Sequence, residues 1–130
     1  MSSDIIYSDA TKLAELIRTK AVSPVEVVQA HVDRIEAVDP KINTIVTVAG
    51  DALEAAKSAE AAVLRGDDLG PLHGVPFTAK DSIDTAGVLT QRGSPIFKGR
   101  VSVRTSDAWW TRSDVREGAA SRKAETLEAE

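Results

Sequence analysis

Apolar residues recur at helical spacing over three stretches of the chain. Between residues 9 and 20, Leu13, Leu16 and Ile17 share one face, and Ser8 or Asp9 can cap the first turn. Ala21-Val22 breaks this pattern, and Ser23-Pro24-Val25-Glu26 begins a new one. The Ser23 hydroxyl can accept from the Glu26 N–H while the Glu26 carboxylate reaches back to Ser23. Pro24 falls at the first helical position, where a missing N–H costs nothing. The spacing of Val25, Val28, Val32 and Ile35 then predicts a helix over 23–38 that buries those four side chains. Asp39-Pro40 should end it, because a residue before proline avoids the α region. A third helix is predicted over 51–65, alanine-rich, with Leu53, Ala56 and Val63 on one side and Gly66-Asp67-Asp68 closing it.

Strand patterns lie between and after these helices. Ile42 to Val48 is β-branched and alternating, which predicts a strand. Val75 to Ile83 reads as a buried strand interrupted by polar residues, its regular part ending at Lys80. Gly87 precedes a short strand near Val88–Gln91, and Gly93-Ser94-Pro95 marks a turn. No internal repeat is present. The last thirty residues differ: residues 1–100 hold 30 Leu, Ile, Val, Phe, Met, Tyr or Trp, and residues 101–130 hold six. Val101, Val103, Trp109, Trp110, Val115 and Leu127 show no sustained period, so residues 102–130 are expected to be a divergent, poorly ordered tail.

Composition narrows the function classes. The chain has 130 residues, 42% of them apolar, enough for the core of one ordinary domain. It has no cysteine, which excludes disulfides, iron–sulfur clusters and thiolate zinc sites. His31 and His73 are too few for a histidine-rich metal centre. A net charge of −4 offers no broad basic footprint, so no nucleic acid is expected as a partner. No apolar run approaches the ~20 residues of a membrane span, and Met-Ser-Ser-Asp-Ile-Ile lacks the regions of a signal peptide. A cytoplasmic protein without membrane association is the expectation.

One stretch carries chemistry: Gly70-Pro71-Leu72-His73-Gly74-Val75-Pro76-Phe77-Thr78-Ala79-Lys80-Asp81-Ser82-Ile83-Asp84-Thr85-Ala86-Gly87. Lys80 follows an apolar run. A buried lysine favours its neutral form, and a neutral lysine is a base that can activate a hydroxyl. The alternative is a lysine at a strand end whose stem packs and whose head reaches water. His73 is a candidate ligand or base, although a loop histidine more commonly donates one hydrogen bond and packs its ring. Asp81 and Asp84 suggest a metal pair, but acidic residues beside Ser82 and Thr85 suit Asx-type turns better. The spacing of Gly70, Gly74 and Gly87 is not that of a phosphate loop, and no Gly-Lys-Ser/Thr follows.

This stretch closely resembles the N-terminal part of the amidase signature family. So do the helix from Ser23 to Val38, the following Asp-Pro-Lys-Ile-Asn-Thr-Ile-Val-Thr, and Thr90-Gln91-Arg92-Gly93-Ser94-Pro95. The resemblance covers residues 8–101, so residues 1–101 are expected to be the N-terminal part of an amidase domain. It implies an α/β fold: the opening helices and first strands of a mixed sheet wrapped in helices, incomplete here. It also implies hydrolysis of carboxylic amides through a Ser–cis-Ser–Lys triad, acting on a small-molecule amide with no metal or organic cofactor. A glutamine-dependent amidotransferase A-type subunit is the close alternative, and a non-catalytic remnant is another.

Of that triad only the lysine maps here, onto Lys80. The family's two serines lie in a Gly/Ser-rich segment well downstream of the lysine. Ser82, Ser94, Ser102, Ser106, Ser113 and Ser121 stand in no such context, and none is assigned as nucleophile. The isolated chain is therefore expected to be inactive. Unpaired strand edges and an uncovered apolar face would also favour self-association. In the tail, Ser106-Asp107-Ala108-Trp109-Trp110 stands where the family continues with Asp-Ala and paired valines. Two GTG codons followed by G, read one base out of phase, give Trp-Trp. A single-base shift near Val101 is the expectation that follows.

Overall fold

The computed structural model describes residues 2–104 and 121–123. Four helices open the chain: α1 (Ser2–Tyr7), α2 (Ala10–Arg18), α3 (Pro24–Ile42) and α4 (Ala52–Arg65). They are followed by strand β1 (Phe77–Ala79), a single 3₁₀ turn at Pro95–Phe97, and strand β2 (Ser121–Lys123), which lies parallel to β1. Phe77 pairs with Ser121 and Ala79 with Lys123.

The helix starts follow their local chemistry. Asp9 caps α2 by accepting the Lys12 N–H at 2.8 Å. At α3 both halves of the expected capping box form: the Glu26 N–H donates to Ser23 Oγ at 3.1 Å, and the Ser23 N–H to Glu26 Oε2 at 2.8 Å. Two donors that no helical carbonyl can reach are thereby satisfied.

The end of α3 departs from the sequence reading. The helix runs through Pro40 to Ile42. Pro40 falls in the last turn, where it removes only the N–H that would reach the Glu36 carbonyl, so little is lost by continuing. Asn43 then takes a left-handed conformation (φ 50°) and donates to the Asp39 carbonyl at 2.7 Å. The Asp39 carboxylate collects the next donors, Thr44 N–H at 2.7 Å and Ile45 N–H at 2.9 Å. The Ile45 N–H above all holds the Asp39 carboxyl below its ordinary pKa.

Helices α2, α3 and α4 pack around one core. Leu13, Ala14 and Ile17 of α2 meet Val27 of α3, Val63 of α4 and Val75 of the loop before β1. A second cluster joins Val28 to Ala56, with Val25 and Leu53 packed at its edge. The face that α3 buries is thus Pro24, Val27 and Val28. Of the four side chains expected inside, only Val28 is fully buried, and Val25, Val32 and Ile35 are half-covered. Helices α4 and α1 are the elements packed most closely against α3, and Val27, off the expected stripe, goes inside. On α4 the buried set is Ala52, Ala56, Ala59 and Val63, and Leu53 sits at the margin.

The strand expectations are only partly met. The strand expected over Ile42–Val48 does not form: Ile42 ends α3, Asn43 is left-handed, the chain bends at Val46, and residues 43–49 join no ladder among the described residues. The strand expected from Val75 shortens to Phe77–Ala79, because Pro76 has no N–H to give a ladder. Near Val88–Gln91 there are isolated bridges instead, Leu89 with Val101 and Ala86 with Ser102. β2 lies in the stretch read as tail, and nothing in its residue pattern marks it as a strand. Residues 105–120 and 124–130, with Trp109 and Trp110, lie outside the described residues.

Candidate active site around Lys80

Lys80 directly follows β1, and its side chain is exposed. The buried-lysine reading therefore does not hold here; the strand-end alternative does. Two devices place it. Upstream, a turn over 71–74 leads into β1. Its His73 is buried, and Nε2 lies 2.8 Å from the Ala59 carbonyl of α4. A carbonyl only accepts, so Nε2 carries the proton and donates. His73 is thus the loop histidine that packs its ring and anchors the approach to β1. The next residue, Gly74, has φ +76°, and a Cβ there would lie 2.8 Å from Pro24 Cγ. Only glycine admits both the left-handed backbone and the contact with the start of α3.

Downstream, Asp81 is 2% exposed, and both its oxygens accept the Gln91 N–H at 3.0 Å. The Gln91 side chain in turn accepts the Gly99 N–H at 2.9 Å. Asp84 receives Arg100 in a two-point clamp, at 2.7 and 2.9 Å, and Arg92 at 3.2 Å. The Arg100 hydrogen bonds, opposed by partial burial and reinforced by Arg92, hold the Asp84 carboxyl well below the usual carboxylate range. Phe97 lies under both guanidinium groups, 5.6 Å from Arg92 and 6.0 Å from Arg100.

The two aspartates therefore act across 8 to 16 residues of chain, which corrects the local-turn reading. The sequence shows each acid but not its distant partner. They tie residues 81–100 into one folded loop that begins directly after Lys80. No group of three or more metal-ligating side chains gathers among the described residues.

Two of the downstream serines are committed locally. Ser94 Oγ accepts the Ile96 N–H at 3.4 Å, capping the 3₁₀ turn. Ser102 is buried and donates to the Arg104 carbonyl at 2.7 Å. Ser106 and Ser113 lie outside the described residues. The described residues thus present a strand-end amine as the one group of the expected triad.

Comparison with known proteins places this arrangement. A family model described as Amidase matches residues 26–120. The A-type subunit of glutamyl-tRNA(Gln) amidotransferase from Acidothermus cellulolyticus is 45% identical over 98 residues, covering 75% of this chain and 19% of that protein. Indoleacetamide hydrolase of Bradyrhizobium diazoefficiens is 40% identical over 111 residues, covering 85% of this chain and 21% of that protein. Among solved structures, the native peptide amidase of Stenotrophomonas maltophilia superposes with a TM-score of 0.81 at 26% identity, over 91% of this chain and 24% of that one. The chain spans about a fifth of the length of the relatives it matches.

Proposed function

Because the chain belongs to the amidase family, we propose that it supplies the lysine base of an amide-hydrolysing site whose nucleophile lies in the part of the domain outside its match. The supporting observation is Lys80 itself, exposed at the end of β1 within the matched residues and held there by His73, Asp81 and Asp84. In this reading the Lys80 amine takes a proton through a bridging serine from the nucleophilic serine. The serine oxygen attacks the amide carbonyl, backbone N–H groups hold the oxyanion, and the returned proton leaves with ammonia or an amine. Water then releases the acid from the acyl-enzyme. The substrate is a small carboxylic amide. The site is read as cytoplasmic; no helix among the described residues is long and apolar enough to cross a membrane.

A second reading has a specific observation behind it. Seven relatives 41–45% identical to this chain are A-type subunits of glutamyl-tRNA(Gln) amidotransferase. On this reading the amide is that of glutamine, and the ammonia passes to another acyl group with the help of partner subunits. The deciding assay measures ammonia release from glutamine and from indoleacetamide by the assembled site, with Lys80→Ala beside the wild type. Release that depends on Lys80 supports the base role. Release unaffected by Lys80→Ala overturns it, and the preferred amide separates the two readings.

A further inference from the structure

Charge is unevenly placed along the chain. Residues 1–79 carry twelve Asp and Glu against seven Lys and Arg, whereas residues 80–104 carry two against five. Each part presents one apolar feature ringed by its own sign. Among α1, α2 and α3 runs a groove of about 670 Å³, lined wholly by residues 4–33. Half-buried Leu16, Val22 and Val25 form its floor, and exposed Asp4, Glu26 and Asp33 stand at its rim. No lysine or arginine lines it. Glu26 and Asp33 each engage one carboxylate oxygen, with the Ser23 N–H and the Gln29 amide. Their other oxygens have no partner among the described residues. The opposite feature is the 3₁₀ turn Pro95–Phe97. Ile96 at its centre is 88% exposed. Lys98 follows, and the Arg92 and Arg100 guanidinium groups lie over the Phe97 ring, so the isoleucine has a basic collar. Asp84 offsets one of these three charges, and the Lys98 amine has no partner among the described residues.

We propose that the groove takes the Ile96 turn of a second copy of this chain. Ile96 enters between Leu16, Val22 and Val25, and Lys98 with its two arginine neighbours faces the carboxylates at the rim. Both halves of the contact are apolar at the centre and charged at the edge, with opposite signs. A copy's own turn does not fill its groove, since no residue beyond Asp33 lines it. Groove against groove would set carboxylates against carboxylates, and turn against turn would set guanidinium against ammonium. The contact is therefore heterologous: one feature of one copy meets the other feature of the next. It is independent of any catalytic role of Lys80. One apolar anchor with exposed ion pairs makes a small interface, so the association is weak, concentration-dependent and reduced by salt.

The experiment is sedimentation velocity of residues 1–130 over a range of protein concentrations, at low and high salt. The expected result is reversible association that salt weakens. Asp33→Lys reverses a charge at the rim, and Lys98→Glu reverses one at the collar. Both positions are exposed, so circular dichroism of each variant should match the wild type. Each variant alone sets like charges together and should raise the dissociation constant at least about tenfold. Ile96→Ser, at another exposed position, should do the same by removing the anchor. Mixing Asp33→Lys with Lys98→Glu should restore association to near the wild-type level, because every contact between the two variants then pairs opposite charges. A wild-type chain that stays monomeric at every concentration overturns the proposal. So does association that Ile96→Ser leaves unchanged, or a mixture that associates no better than the two charge variants do apart.

Discussion

Gly74 carries a steric constraint beside its left-handed backbone. Its φ of +76° and the 2.8 Å gap from an added Cβ to Pro24 Cγ act together. Pro24 is fully buried against the start of α3 and cannot move aside. Gly74→Ala should cost about 2–4 kcal/mol, from left-handed strain and overpacking combined, measured by urea denaturation. Asp84 gives the second residue-scale expectation. Its pKa is depressed in the folded chain, chiefly by Arg100, so the stability it contributes is fully present above its unfolded value of about 3.9. That contribution is lost as pH falls below about 4 toward the folded value. The stability difference between wild type and Asp84→Asn should therefore be largest at neutral pH and shrink on acidification. A difference that stays constant from pH 7 to pH 3 would contradict the clamp. Neither constraint could be read from single residues: Gly74 is 50 positions from Pro24, and Asp84 is 16 from Arg100.

Helix caps were more legible than strands, because a cap is written in four consecutive residues. Ser23-Pro24-Val25-Glu26 specifies its own hydrogen bonds, and the structure forms both. Ser23→Ala should cost about 1 kcal/mol, and thermal melts of Ser23→Ala beside a Ser23→Asp control should show the loss only in the alanine variant. The strand pattern at 42–48 is overridden at both ends of its first half, where Ile42 stays in α3 and the chain bends at Val46, because a strand needs a partner and partners are long-range. The helical stripe on α3 has the same weakness. Period alone places Val25, Val28, Val32 and Ile35 inward, but which part of the stripe is covered depends on how α1 and α4 pack against α3. Hence Val27 is fully buried and Ile35 only half so.

At the scale of the whole molecule, the proposed base, Lys80, has no assigned nucleophile among the described residues. Residues 1–130 alone should release no ammonia from simple aliphatic or aromatic amides above the rate of Lys80→Ala. Losing one oxyanion donor typically costs on the order of a hundred- to a thousand-fold, and losing the nucleophile removes the covalent route. Turnover by the isolated chain that vanishes in Lys80→Ala would mean a complete site forms within it. Exposed Ile96, Val101 and Val103 leave apolar surface where the rest of a domain would sit, and self-association is expected on that surface. The sequence by itself determined helices α2, α3 and α4, the capped starts of α2 and α3, the family and the candidate lysine, because each is encoded in contiguous residues or in a long matching stretch. Tertiary structure alone decided that Lys80 is exposed, that Asp81 and Asp84 tie distant segments rather than local turns, and that 43–49 remains unpaired among the described residues. Each of these depends on groups brought together from 10 or more positions apart, or on a partner strand, and no local pattern of side chains records that.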